Sequence, residues 1–198
     1  MIDAGLRGRV ALVSGATQGV GRVAARLFAA EGAWIAVNYR TDVHGAKALV
    51  DAIRSDGGRA LLAPGDVRTP EGAWTVARYV EHEWAQIDIL LHTAPLLGPG
   101  EFAPATTPLL AELMSGMRER GWGRVVVFCS PDMADQATDS SLRMVPHVLA
   151  NSVCLPGGER PAWLDEAVAR TALFLGSDWN RCLTGMICTI DTGWLHAG

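Results

Sequence analysis

The sequence predicts an α/β fold: one domain over residues 1–198, built on a doubly wound, mostly parallel seven-stranded sheet with helices on both faces. Two observations predict it. Short apolar runs alternate with segments whose apolar residues recur at helical spacing. A glycine-rich turn joins the first such run to the first amphipathic segment, the arrangement that opens a doubly wound sheet toward a ligand.

The elements follow in order. Val10–Val13 is a short apolar run ending in Ser14-Gly15, and reads as the first strand. Val20, Val23, Ala24, Leu27 and Phe28 fall at helical spacing, and Glu31-Gly32 closes that helix. Trp34–Val37 reads as a second strand. Ala46, Leu49, Val50 and Ile53 mark a helix stopped by Gly57-Gly58, and Ala60–Ala63 makes a third strand. Ala73, Val76, Ala77, Val80 and Trp84 mark another helix, followed by a fourth strand at Ile87–Leu91.

The second half is less regular, with missing or shortened helices. Leu110, Leu113, Met114 and Met117 suit a short helix, and Val125–Phe128 a strand. Residues 131–147 show no clear period and read as a loop. Ser152–Leu155 is a sixth strand ended by Pro156-Gly157-Gly158. Leu164, Ala167, Val168, Thr171, Ala172 and Leu175 make a helix, and Met186–Ile190 a last strand. No repeat, low-complexity tract or interdomain linker interrupts the chain.

Composition narrows the function. With 49% hydrophobic and 19% charged residues, the chain has an ordinary globular balance. A net charge of −4 without a basic block disfavours nucleic-acid partners. No leader-like segment or bilayer-length apolar run is seen, so a cytoplasmic protein with no membrane partner is expected. Cys129, Cys154, Cys182 and Cys188 show no Cys-x-x-Cys pairing; three lie in apolar stretches and read as reduced core thiols, with no metal site expected. Lys47 is the only lysine, so sixteen of the 17 basic residues are arginine, which suggests a high-GC bacterial genome.

Ser14-Gly15-Ala16-Thr17-Gln18-Gly19-Val20-Gly21 places Gly-x-x-x-Gly-x-Gly between a strand and a helix. Glycine there allows a tight turn, close backbone approach to a pyrophosphate and close helix–strand packing. The helix amino terminus offers free N–H groups and a positive dipole end to the phosphates. The alternative is a plain structural turn.

With this turn, further motifs resemble the short-chain dehydrogenase/reductase family nearly end to end, from Leu6-Arg7-Gly8-Arg9-Val10 to Asp191-Thr192-Gly193-Trp194. The turn is similar to the family's Thr-Gly-x-x-x-Gly-x-Gly, with Ser14 replacing Thr. Gly65-Asp66-Val67 resembles the pair that holds the adenine ring. Asp88-Ile89-Leu90-Leu91 is similar to the strand before the family's Asn-Asn-Ala-Gly, which here reads His92-Thr93-Ala94-Pro95. The segment Arg118–Val125 resembles the approach to the strand carrying the catalytic serine, a position that falls on Ser130. Asn151-Ser152-Val153-Cys154-Leu155-Pro156-Gly157 is similar to Asn-x-Val-x-Pro-Gly with one residue inserted. Phe174–Asp178 and Leu183–Gly193 resemble the carboxy-terminal signature.

The resemblance implies a Rossmann-like fold and a nicotinamide cofactor held by Gly15, Thr17, Gln18, Gly19, Val20, Gly21, Tyr39, Arg40, Asp66, Val67, Thr93, Ala94, Pro156 and Gly157. Enzymes of this fold that prefer NAD place a carboxylate at the end of the second strand. Here Val37-Asn38-Tyr39-Arg40 offers a guanidinium, suited to a 2′-phosphate, so NADP(H) is favoured. The alternative is that Arg40 is a solvated loop residue.

The sequence also departs from the family. Its only tyrosines are Tyr39 and Tyr79, and neither stands in a Tyr-x-x-x-Lys pair; of the family's catalytic set only Ser130 finds a match. The helix that carries the pair has no room between Ser130 and Asn151. Its loss is expected to expose apolar sheet, covered by residues 131–147 or by a second subunit in a homo-oligomer, such as a homodimer, with an interface foreign to the family. Ser130 and His92 are the candidate catalytic residues, His92 as an acid; Asp132 and His147 are weaker candidates against ordinary loop polarity. Trp163 and Trp194 could line an aromatic pocket, or serve packing or oligomer contacts.

Three readings follow. The first is an NADP(H)-dependent reductase of a small-molecule substrate, an activated carbonyl, enone or quinone, in bacterial polyketide or secondary metabolism. The second is a non-redox cyclase, dehydratase or isomerase on the same scaffold. The third is a catalytically silent, nucleotide-binding partner subunit.

Overall fold

The structure, a computed structural model, describes residues 3–93, 108–130, 145–155 and 161–190. Its elements run β1 (Val10–Ser14), α1 (Gly19–Ala30), β2 (Trp34–Tyr39), α2 (Val43–Ser55), β3 (Arg59–Pro64), α3 (Pro70–Trp84), β4 (Ile89–Thr93), α4 (Pro108–Glu119), β5 (Gly123–Cys129), β6 (Val148–Cys154), α5 (Ala162–Gly176) and β7 (Ile187–Thr189). The strands form one sheet in the order β3-β2-β1-β4-β5-β6-β7. Every pairing is parallel, where a mostly parallel sheet was expected.

Burial on both faces explains the apolar runs. All five residues of β1 and all seven of β5 are buried, as in a parallel sheet covered by helices. On one face α1, α2 and α5 pack through Phe28, Leu49, Ile53, Leu164 and Val168 onto Val13, Ile35, Leu91 and Val126. On the other, α3 and α4 pack through Val76, Val80, Leu110, Leu113 and Met117 onto Leu12, Leu90, Val125 and Val127. At its centre the sheet therefore turns its strand ends, not its faces, toward solvent. Strand order reverses between β1 and β4, where the connections leave toward opposite sides and open a crevice at the carboxyl ends.

The second half departs from expectation at β6. The sixth strand was expected at Ser152–Leu155 but begins at Val148. Asn151 masked it: its amide donates to Leu183 O at 2.9 Å and accepts from Met186 N at 3.1 Å, so a polar residue sits satisfied in mid-strand. The helix expected to be short, α4, spans 12 residues, as long as α1. On β5 and β6, Val125, Val127, Ala150, Ser152 and Cys154 are all buried. Of the stretch read as a loop, residues 131–144 lie outside the described residues, and Val145–His147 form a turn into β6.

No helix among the described residues is long and apolar enough to cross a membrane. None of the described residues form a His/Cys/Asp/Glu group able to hold a metal ion.

Candidate cofactor cleft

A cleft of about 650 Å³ opens at the carboxyl ends of the strands. Gly15, Thr17, Gln18, Gly19, Val20 and Gly21, from the turn after β1, form one wall. Tyr39 and Arg40 at the end of β2, and Asp66 and Val67 after β3, form a second. His92 and Thr93 of β4 and Ser130 after β5 complete the lining on the far side. Ala94, Pro156 and Gly157 lie outside the described residues, as do Asp132 and Trp194. His147 and Trp163 are not among the lining residues.

The turn is shaped by contact with β4. Gly15 has φ +64°, and a Cβ there would lie 2.0 Å from Thr93 Oγ1. That hydroxyl donates to Ser14 O at 2.6 Å, clamping the turn to β4. A Cβ on Gly21 would lie 2.7 Å from Gly15 O, so the start of α1 is pressed against the turn. Gly19 is left-handed at φ +53°, and among the described residues a Cβ there would meet Asp165 Oδ2 at 3.8 Å, an ordinary contact.

The end of α1 differs from its neighbours. Asp42 caps α2 by accepting from Gly45 N, and Thr69 caps α3 by accepting from Gly72 N. Gln18, the cap position of α1, makes no side-chain cap bond, and the first turn holds no acidic residue. The Gln18 side chain therefore leaves the first N–H groups of α1 uncapped at the cleft, with the positive end of the helix dipole. A tight glycine turn, a left-handed glycine and a helix start that Gln18 does not cap fit a dinucleotide pyrophosphate.

A charged cluster occupies the rim. Arg68 grips Asp66 with both arms, Nε to Oδ1 at 2.8 Å and Nη2 to Oδ2 at 2.5 Å. Arg40 stands 3.9 Å from the same carboxylate. The Arg68 hydrogen bonds, helped by the charge of both guanidiniums, pull the Asp66 carboxyl down to about 2. Arg68 went unnoticed in the sequence; its signal is the Asp-x-Arg spacing, which lets a guanidinium fold back on a turn carboxylate. Asn38 was missed as well. Its buried amide donates to Ala63 O and Gly65 O at 2.9 and 3.1 Å, and so fixes the turn that presents Asp66. The sequence signal was an amide inside an apolar strand, which has to be satisfied.

His92 is 5% exposed, and its Nδ1 lies 2.8 Å from Ser14 Oγ, its register partner on β1. Burial lowers its pKa to about 4, so at neutral pH the ring holds no extra proton to give away. The geometry is that of a neutral tie between β1 and β4 beneath the turn. Tyr79 is exposed on α3, Tyr39 lines the cleft at the end of β2, and Lys47 pairs with Asp51 at 3.7 Å on the surface of α2.

The fold and this cleft define a Rossmann-like α/β domain with its glycine turn at the carboxyl ends of the strands. The chain belongs to the short chain dehydrogenase family, whose model matches residues 9–138. That family uses a nicotinamide cofactor.

Relatives agree at different ranges. The 2,3-dihydro-2,3-dihydroxybenzoate dehydrogenase of Bacillus subtilis is 35% identical over 97 residues, 48% of this chain and 36% of that protein. The L-rhamnose 1-dehydrogenase (NAD(P)(+)) of a Sphingomonas species is 27% identical over 94% of this chain and 74% of its own length. The first curated relatives are matched over only 38%, 36% and 31% of their lengths. A 3-oxoacyl (acyl-carrier-protein) reductase from Agrobacterium tumefaciens, solved with NADP bound, shares the fold at a TM-score of 0.79, with 22% identity and 95% of each chain covered.

Proposed function

We propose that this chain is an NADP(H)-dependent oxidoreductase acting on an activated acceptor such as a conjugated enone, a quinone or an activated carbonyl. The observation that carries the cofactor reading is the pair Arg40 and Arg68 around Asp66, on the cleft wall across from the glycine turn. Two guanidiniums at that rim suit a 2′-phosphate, which a lone carboxylate would repel. The dinucleotide, when bound, supplies the hydride.

The protein's own part is to bind and orient. The α1 amino terminus holds the pyrophosphate, Asp66 and Val67 flank the adenine, and the Ser130 hydroxyl offers a hydrogen bond toward an acceptor oxygen. Among the described lining residues, the proton-bearing groups on the β4–β5 side are the Ser130 hydroxyl, the Thr93 hydroxyl already donated to Ser14 O, the Cys129 thiol and the neutral His92. Such weak donors suit an acceptor already electrophilic, not a simple ketone. The same weakness favours a second reading, a non-redox catalyst on the dinucleotide scaffold. A role in polyketide or secondary metabolism draws support from a putative ketoacyl reductase of a monensin polyketide synthase of Streptomyces virginiae, 33% identical over 60% of this chain.

Calorimetric titration with NADPH and NADH, then stopped assays with quinone and enone acceptors, tests the reading. NADPH is expected to bind more tightly and to be consumed stoichiometrically. Turnover that persists without any nucleotide would select the non-redox reading. Removing either arginine (Arg40→Ala or Arg68→Ala) is expected to weaken NADPH binding about fivefold, roughly 1 kcal/mol for one partly exposed cation, and to leave NADH nearly unchanged. Equal losses for both nucleotides would refute the 2′-phosphate assignment.

A further inference from the structure

Below Ser130, the ends of β5 and β6 carry facing cysteines. Cys129 and Cys154 are register partners on adjacent parallel strands, so their side chains leave the same face of the sheet. Their Sγ atoms are 2.9 Å apart, leaving no room for another group between them. Leu155 N donates to Cys129 O at 2.8 Å and holds the two strand ends at this level. Neighbouring strands are spaced about 4.8 Å, within the Cα separation that disulfides span, about 4.4–6.8 Å. Cys129, 2% exposed, lines the cleft beside Ser130, so the cleft side is where a small reagent approaches the pair.

The remaining cysteines are placed differently. Cys182 is exposed beyond α5. Cys188 on β7 is the register partner of Val153, so it emerges on the sheet face opposite Cys154.

We propose that Cys129 and Cys154 form a dithiol modification site in the cleft, which a small thiol oxidant closes to an intramolecular disulfide. With a diazenedicarboxamide such as diamide, the Cys129 sulfur adds to one nitrogen of the N=N bond, and the other nitrogen takes up a proton. The Cys154 sulfur then attacks Cys129 sulfur, breaking the S–N bond and expelling the hydrazide, which gains the second proton. One S–S bond forms, two S–H bonds are lost, and N=N is reduced to HN–NH. Burial raises both thiols above the ordinary range, so the thiolate is scarce at neutral pH and closure accelerates about tenfold per pH unit. The product fixes β5 to β6 immediately before Ser130, so the modification lands at the proposed acceptor end of the cleft.

Full-length protein is treated with diamide at mildly alkaline pH, alkylated under denaturing conditions and mapped by mass spectrometry. The expected result is loss of two of the four thiols, a peptide pair joining Cys129 to Cys154, and recovery of all four with dithiothreitol. Cys182→Ser is expected to form the same bond, and Cys129→Ser to form no internal disulfide. Four alkylated thiols after treatment, or a bond from Cys154 to Cys188 or Cys182, would overturn the proposal. The mapping in the unmodified sequence stands whether or not the Cys129→Ser protein folds.

Discussion

Gly15→Ala is expected to reduce NADPH affinity by at least tenfold and to destabilise the fold by about 2–3 kcal/mol. The backbone at Gly15 has φ +64°, a conformation that costs an L side chain about 1–2 kcal/mol. The added Cβ also overlaps Thr93 Oγ1, at 2.0 Å. Thr93 cannot rotate away freely, because that hydroxyl donates to Ser14 O; losing the bond costs about 1 kcal/mol more. The other escape is for the turn to lift off β4, which carries Gln18 and Gly19 away from the place they hold at the start of α1. Either route spoils the pyrophosphate seat.

Gly57→Ala separates backbone strain from the clash. Its φ is +85°, nothing lies within 4 Å of its Cβ position, and it sits between α2 and β3 away from the cleft. It is expected to cost about 1 kcal/mol of stability and no affinity. Denaturant unfolding and calorimetry with NADPH make the comparison. Undiminished binding by a folded Gly15→Ala protein would remove the turn from the cofactor site.

The contrast between these glycines shows what a sequence conveys. Gly15, Gly19 and Gly21 were legible because a strand, a tight turn and a helix each leave a local signature, and their order along the chain is their order in space. Helical spacing likewise marked Val20, Ala24 and Phe28, which bury one face of α1. Relations between distant segments leave no such trace. Nothing local announces that Asn38 on β2 braces Gly65 after β3, or that Ser14 and His92 meet across 78 residues. The pairing of Cys129 with Cys154 depends on the β5–β6 register, which neither segment encodes alone. The start of β6 was lost for the same reason: Leu183 and Met186, which satisfy Asn151 in mid-strand, lie 32 and 35 residues away.

His92 carries the second large expected effect, on stability against pH. Its ordinary pKa of 6.5 falls to about 4 in the fold, because burial disfavours the charged ring. The native state therefore binds a proton less readily than the unfolded chain. The contribution is fully present above pH 6.5 and is lost as pH falls from there through about 4. A shift of this size is worth up to about 3 kcal/mol. Between pH 7 and pH 4.5 the native protein is expected to lose about 2–3 kcal/mol more than a His92→Asn protein, in which an uncharged amide faces Ser14. Chemical unfolding of both proteins at the two pH values measures this difference, and equal losses would contradict the assignment. The same ionisation bears on chemistry. A ring that stays neutral to about pH 4 while engaged with Ser14 braces the glycine turn, so a pH–activity profile should show no His92 step between pH 6 and 7. A step there that disappears in His92→Asn would restore His92 as the acid and move the proton source from Ser130 to β4.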